Sequence, residues 1–422
     1  MDEARHDRLV ALRRALHSHP EPAWCEFYTT SRIVEEVERI GVDDLRVGPE
    51  ILDDEARMAV PDDETLADWH ERAREAGARE DVLDQCVGGL TGALATIERG
   101  EGPTVALRVD IDALPITESD ETSHVPADAG FRSDNEGYMH ACGHDAHAAI
   151  GVGVLEAVAE SDFAGTFHVL FQPAEEVIGG GKAVAESGVL DDVDRLYAVH
   201  VGLDHPTGEV VAGVGGFLSV RQFEVTFTGE TAHAGGHPAQ GRDAVQALAT
   251  AVQNMHAIRR HGDGDTRVNA GVVEGGTATN IVPESARIEG EVRGETTHLK
   301  EYMSDRVDTV VHSAAEMHDC EAEIRTTAEA PSAESDDELA EYVYEAAGGT
   351  TGVTSRLRTD ELGGSEDATY LMARVQERGG LACYVGVGTD HPGGHHTPTF
   401  DVDERTLAVG VDTLAGAVDR CW

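Results

Sequence analysis

Strand-like and helix-like runs alternate along this chain, and the alternation changes character near Gly216 and changes back after Pro331. Before Gly216, TVALRV (residues 104–109), TFHVLFQ, RLYAVHVG and GEVVAG are nearly unbroken apolar runs, the texture of strands buried on both faces. Helical patterns lie among them. LVALRRALHSHP ends at Pro20, TTSRIVEEVERIG stops at Gly41, residues 62–85 read as a highly charged helix, and AHAAIGVGVLEAVAE reads as another. Strands alternating with helices predict an α/β domain. After Gly216 the run SVRQFEVTFTG alternates apolar and polar residues, which suits a strand with one wet face. A helix follows over 243–261, then strands near 267–274 and 286–293, a helix near 297–318 and a strand near 321–327. That β-α-β-β-α-β order is a ferredoxin-like unit. APSAES, around Pro331, reads as its exit, after which a strand at LACYVGV and a last helix from Glu404 resume the first texture. The expectation is an α+β domain of residues 216–329 inserted into an α/β domain made of 1–215 and 330–422.

The charge narrows the partners. Asp and Glu number 80 against 32 Lys and Arg, a net charge of −48. Such a surface repels phosphate backbones and anionic lipid, so nucleic acid and membrane partners are excluded. An acidic tail is set aside because the acids are spread along the chain, and a large basic partner is a second reading. The even spread, with Lys182 and Lys300 the only lysines, favours adaptation to high salt. No apolar run approaches the ~20 residues of a membrane span. The start, MDEARHDRLV, lacks a basic patch followed by an apolar stretch, so a cytoplasmic protein is expected. The six cysteines are scattered and expected to be reduced, five of them as small buried hydrophobes. Cys142 is the exception.

Cys142 belongs to His140-Ala-Cys-Gly-His144-Asp145, which packs four metal-type ligands into six residues at the start of a predicted helix. Further candidates fall just past predicted strands: Asp110 and Asp112 in RVDIDAL, Glu175 and Glu176 in QPAEE, and His200 in AVHVG. His395 and His396 sit in a Gly- and Pro-flanked loop. Ligands of α/β sheets bind beyond the carboxyl ends of strands. Taken singly, each histidine reads as an ordinary surface or core residue, and the Glu pair as solvated surface. Together they read as a metal site. Two divalent ions about 3.5–4 Å apart would share and acidify a water. A carboxylate not used as a ligand would move its proton.

These motifs resemble the aminoacylase/carboxypeptidase superfamily of two-domain metallohydrolases, specifically its amidohydrolase branch. HACGHD, QPAEE and the late His-x-Pro-x-Phe-x-x-Asp-Glu pattern carry the resemblance. The opening LRRALHSHPEPAWCEF, the 51–90 stretch and GSEDATYLMARVQ extend it nearly end to end. The resemblance implies a helix-flanked central-sheet catalytic domain with an inserted lid and dimerisation domain. It implies Cys142, His144, Glu176, His200 and His396 as metal ligands, with His396 preferred to its neighbour His395, and Glu175 as general base. Asp110, Asp112 and Asp145 would either ligate directly or orient the histidine ligands. In the inserted domain it implies His233 of TAHAGGHP as oxyanion donor, commonly across a dimer interface, and Asn280 and Arg293 as anchors of the substrate carboxylate. Read from residues alone, Arg293 is equally a surface arginine at a strand end.

The implied cofactors are two divalent ions in each protomer. Thiolate and imidazole ligands suit zinc, whereas the resemblance suggests manganese. The implied reaction is hydrolysis of the amide of an N-acyl or N-aroyl amino acid, with p-aminobenzoyl-glutamate the expected substrate. N-acetyl, hippurate-type and indole-acetyl conjugates are the alternatives. The implied assembly is a homodimer through the lid, or a heteromer with a related chain. Readings from other classes are a catalytically idle member of a heteromeric hydrolase and a binding protein with a structural metal.

Overall fold

The computed structural model describes residues 1–421. The chain divides into two compact units, the first comprising Met1–Gly216, Ala333–Leu362 and the residues from Glu366 onward. The second comprises Phe217–Ser332 with Gly363–Ser365. The first unit begins with α1 (Glu3–Ser18), α2 (Phe27–Ile40), β1 (Asp44–Val47), α3 (Asp63–Glu75), α4 (Glu80–Leu83), β2 (Ala93–Glu98) and β3 (Thr104–Asp110). It continues with α5 (Val125–Ala129), α6 (His144–Ala159), β4 (Thr166–Gln172), α7 (Gly180–Ser187), β5 (Arg195–Val201) and β6 (Glu209–Gly215). The second unit holds β7 (Ser219–Thr228), β8 (Ala232–His233), α8 (Ala244–His256), β9 (Thr266–Gly275), β10 (Ile281–Val282), β11 (Ser285–Gly294), α9 (Thr297–Met317) and β12 (Glu321–Ala330). The chain then returns to the first unit as α10 (Asp337–Ala347), β13 (Ser355–Glu361), α11 (Ala368–Glu377), β14 (Leu381–Val387) and α12 (Arg405–Val418).

The first unit is built on an eight-stranded mixed sheet of order β1-β2-β4-β3-β5-β14-β6-β13. Its middle strands β4, β3, β5 and β14 are parallel neighbours. Each is buried at every residue after its first, which is why these segments read as continuous apolar runs. Helix α6 is buried along almost its whole length, packed against β3, β4 and β5 and against α1, α2 and α12. That placement explains a sequence of Ala, Gly, Val and Ile with little polar face. No helix among the described residues is long and apolar enough to cross a membrane.

The second unit carries a four-stranded sheet of order β12-β7-β11-β9, every neighbouring pair antiparallel. Numbered within the unit, that order is fourth, first, third, second, the ferredoxin-like arrangement read from the sequence. One face packs Phe223, Val225 and Phe227 against Ala247, Ala251 and Met255 of α8 and Met303, Val307 and Val311 of α9. The opposite face is largely exposed, which is the physical origin of the period-two pattern in SVRQFEVTFT. The short strands β8 and β10 pair separately, placing His233 opposite Ile281.

The structure differs from the sequence reading at several places. The expected helix over 62–85 is two helices, α3 and α4, separated where Gly77 adopts φ +96°. The helix expected to reach residue 261 ends at His256. Strand β13, with the sequence SRLRTDE, was not anticipated. It is an edge strand exposed at every residue, so it has none of the apolar texture by which its neighbours are read.

Candidate metal centre

Because β4, β3, β5 and β14 run parallel side by side, their carboxyl ends open along one edge of the sheet. Asp110 is the last residue of β3, and Asp112 lies just beyond it. Glu175 and Glu176 follow β4, His200 is the penultimate residue of β5, and His395 and His396 lie in the loop after β14. Helix α6 starts at His144 against the same edge, with Cys142 two residues before it. Gly143 between them adopts φ +88°, and a Cβ there would lie 2.5 Å from Val201 Cγ2, so the turn needs glycine. The His396 N–H donates to the Ala141 carbonyl at 2.9 Å, which joins the last loop to the HACGHD loop. Five non-glycine residues in the left-handed region, Ala174, Ile178, Leu203, Asp204 and His396, sit in these strand-end loops. Such strained backbone gathers where surrounding structure over-determines a site.

The side chains converge. Cys142 Sγ lies 3.4 Å from His200 Nε2 and 3.5 Å from His395 Nδ1. His200 donates from Nδ1 to the Val201 carbonyl at 2.7 Å, which leaves its Nε2 lone pair facing the cysteine. His144 donates from Nδ1 to Asp112 Oδ1 at 3.3 Å. Its Nε2 is buried without a hydrogen-bond partner, and so is Glu176 Oε1, 3.7 Å away. Glu175 Oε2 stands 3.9 Å from the same nitrogen. His396 Nε2 is 3.7 Å from Glu176 Oε2. The five expected ligands thus form two triads that share Cys142: Cys142 with His144 and His200, and Cys142 with Glu176 and His396. Within each triad the donor atoms lie within 4.8 Å of one another.

Electrostatics point the same way. Burial, reinforced by the Glu176 carboxylate, holds the Cys142 thiol well above its usual range. Burial and the neighbouring carboxylates of Glu366 and Glu176 push Glu175 well up. Burial carries Glu176 to about 8, with His144 opposing and Asp112 adding to the rise. For His144, burial opposes the charged form but Asp110 and the hydrogen bond to Asp112 overcome it, and its pKa lies well above the usual imidazole value. His200 is held well below that value by burial beside His147. A desolvated cluster of acids with orphaned donors and acceptors is what a divalent cation satisfies. The donor set therefore fits a metal centre.

The other sequence candidates separate into those near this cluster and those elsewhere. Asp112 orients His144 and also accepts the Glu176 N–H at 3.0 Å, tying two candidate ligands together. Asp110 accepts a hydrogen bond from His147 and pairs with Arg108 at 2.7 Å. Asp145 faces the other way. It pairs with Arg13 at 2.7 Å and His17 at 2.8 Å, and so orients neither His144 nor His200. His395 accepts the Leu203 N–H at Nε2, 3.1 Å, which occupies one of its two nitrogens. In the second unit, His233 Nδ1 accepts the N–H groups of Gly235 and Gly236 at 3.1 and 2.9 Å, so Nε2 carries the ring proton. Asn280 lies beside it, its carbonyl accepting the Ala234 N–H at 2.9 Å. Arg293 forks onto Glu291 of its own strand at 2.9 and 3.1 Å.

Sequence reading missed His147, which donates to Asp110 and accepts the Val201 N–H at 2.8 Å. Its spacing of three from His144 on one helix was the available signal. It also missed the buried platform beneath Glu175. There Arg108 pairs with Asp110, Glu366 and Asp367, and the Tyr384 hydroxyl donates to Glu366 at 2.8 Å.

The family model for peptidase family M20/M25/M40 matches residues 106–420. The chain is 43% identical over 407 residues to the indole-3-acetyl-aspartic acid hydrolase of Enterobacter agglomerans, covering 96% of this chain and 93% of the relative. It is 41% identical over 412 residues to one of the named subunits of the p-aminobenzoyl-glutamate hydrolase of Escherichia coli strain K12, covering 97% and 94%. The solved structure of an aminobenzoyl-glutamate utilization protein from Klebsiella pneumoniae superposes with a TM-score of 0.83 at 37% identity, over 98% of this chain and 95% of that one. That of a Bacillus subtilis dinuclear metal binding peptidase of the M20 family superposes with a TM-score of 0.71 at 26% identity, over 99% of each chain. With sheet, strand-end cluster and relatives in agreement, this chain belongs to peptidase family M20/M25/M40.

Proposed function

We propose that the protein is a dinuclear metal-dependent amidohydrolase that cleaves the amide of N-acyl or N-aroyl amino acids. One observation carries this reading: five candidate donors from distant segments form two triads around Cys142, with Glu175 beside them, close to His144 and Glu176. Cys142, His144, Glu176, His200 and His396 would hold two divalent ions, zinc or manganese, which supply Lewis-acid polarisation of the scissile carbonyl and acidify a water. His396 is preferred to His395 because the latter already accepts the Leu203 N–H. Glu175 takes the proton of the attacking water and delivers it to the departing amine. A carboxyl held above its usual pKa by burial and neighbouring acids suits both tasks. Asp112 and Asp110 keep their histidines oriented. His233, protonated at Nε2, is the donor for the developing oxyanion. Asn280 and Arg293 anchor the substrate carboxylate, which takes the place of Glu291 on the Arg293 fork.

The substrate proposed is p-aminobenzoyl-glutamate, supported by the relative at 41% identity. The relative at 43%, named for indole-3-acetyl-aspartic acid, favours a second reading, an indole-acetyl conjugate. Both names describe an aromatic acyl group on an acidic amino acid. Assembly is proposed as a homodimer through the second unit, with a heteromer as the alternative suggested by the relative whose name makes it one component of a hydrolase. The cytoplasm is the proposed location. Hydrolysis rates on p-aminobenzoyl-glutamate, indole-3-acetyl-aspartate, N-acetyl amino acids and hippurate, measured on metal-loaded protein, test the reading. The first is expected to be fastest. A preference for N-acetyl substrates refutes the substrate assignment, and full metal content with no turnover on any of the four refutes the enzymatic one.

A further inference from the structure

The opening stretch HPEPAWCEF carries two carboxylates into the interior, Glu21 at 2% exposure and Glu26 at 0%. Neither has a part in the reaction described above. The role of Glu21 is local. Its two oxygens accept the N–H groups of Tyr28 and Thr29, both at 2.8 Å, in the first turn of α2. Those are the donors a helix start leaves unpaired. Glu26 occupies the capping position of that helix, yet its side chain makes no cap. It turns away instead. Oε2 accepts the Thr91 hydroxyl at 2.6 Å, and Oε1 accepts the Ala174 N–H at 2.8 Å. Both partners are fully buried.

Ala174 immediately precedes Glu175 and Glu176 and adopts φ +59°, a conformation disfavoured for any residue with a Cβ. Its carbonyl accepts the N–H groups of Gly179 and Gly180 at 2.9 and 3.1 Å. Two residues on, the Glu176 N–H is taken by Asp112 at 3.0 Å. The short loop bearing both glutamates is therefore held at each end by a carboxylate from elsewhere in the first unit. One comes from the start of α2 and the other from beyond β3. Removing the first would leave the Ala174 N–H a buried orphan and release the turn that aims the two side chains.

We propose that Glu26 is a positioning residue for the Glu175–Glu176 loop, fixing both carboxylates through the Ala174 N–H. The inference rests on the reading of Glu175 as base and Glu176 as ligand. Two variants of the full chain test it. Glu26→Gln can still accept from Ala174 through Oε1 and donate to the Thr91 oxygen, whereas Glu26→Leu can do neither. Glu26→Leu is expected to lose roughly 10–100-fold in kcat with little change in KM. A loss in zinc affinity of the same order, measured by chelator competition on the metal-free chain, is expected to accompany it. Glu26→Gln is expected to recover most of both. A Leu variant with wild-type kcat and zinc affinity overturns the proposal, as does a Gln variant as impaired as the Leu. Should the Leu variant not fold, Thr91→Val, which frees one carboxylate oxygen without removing the acid, is expected to weaken both quantities by a smaller factor. No change in either then overturns the proposal. If the wild-type chain hydrolyses no N-acyl amino acid, the enzymatic reading fails alone, because the zinc comparison still decides the role of Glu26.

Discussion

Glu175 and His17 show how burial can give two titratable groups different tasks. Glu175 belongs to neither triad around Cys142 but does group with His144 and Glu176, and its proposed role as base rather than ligand predicts that its removal spares the metals. Glu175→Gln should keep wild-type metal content by elemental analysis while turnover falls by roughly 10²–10⁴. Loss of the metals together with activity would instead make Glu175 a ligand. His17 is fully buried behind the cluster, where burial and Arg13 oppose its charge but hydrogen bonds to Asp145 and Glu118 prevail and raise its pKa to about 9. Its folded value lies above its unfolded value of 6.5. The stability it contributes is therefore fully present below pH 6.5 and is lost as pH rises through 9. The gap in melting temperature between wild type and His17→Gln should be widest near pH 6 and narrow by pH 9.5. A gap that widens with pH would contradict this pairing.

Helix α6 is the element on which the site depends, since it begins at His144 and runs through the middle of the first unit. Its glycines allow that depth. A Cβ on Gly153 would stand 2.5 Å from Val411 Cγ2 and 2.7 Å from Leu9 Cδ1, on the face toward α12 and α1. In an exposed helix, Gly→Ala stabilises by about 1 kcal/mol. Here the sign should reverse. Gly153→Ala is expected to destabilise by ~1–3 kcal/mol through overpacking, read as a lower denaturation midpoint. A raised midpoint would show that α12 can move aside. The antiparallel sheet of the second unit meets a different demand, because one of its faces is covered and the other exposed. That is why its strands alternate while β3, β4 and β5 do not.

At the scale of the whole molecule the governing quantity is a net charge of −48. The arginines are drawn into local pairs, such as Arg79 with Glu38 and Asp81, and Arg287 with Glu224 and Glu289. Eighty acids still far outnumber 32 bases, so the folded chain carries self-repulsion that salt relieves. The screening length shrinks from about 10 Å at 0.1 M to about 3 Å at 1 M salt. Melting temperature and activity should therefore both rise from dilute buffer to molar KCl. A fall in both would show that the acidic surface has no such role.

Much of this protein is local and was legible in its sequence. Strands buried on both faces announce themselves as apolar runs, the wet-faced sheet alternates, and Cys142, His144, Glu175, Glu176, His200 and His396 stand in motifs whose chemistry is set by residue type. The edge strand β13 was not legible, because exposure on every side leaves no pattern. Nor were the buried pairings. That Asp145 serves Arg13 and His17, that His147 holds Asp110, and that Glu26 reaches the Ala174 N–H depend on which strands are neighbours. Sequence determined the texture of the buried elements and the kinds of donor, since both follow from interactions within a few residues. Tertiary structure alone decided the partners, because a buried polar group bonds to whatever the sheet order brings within hydrogen-bonding reach, and that order joins residues far apart along the chain.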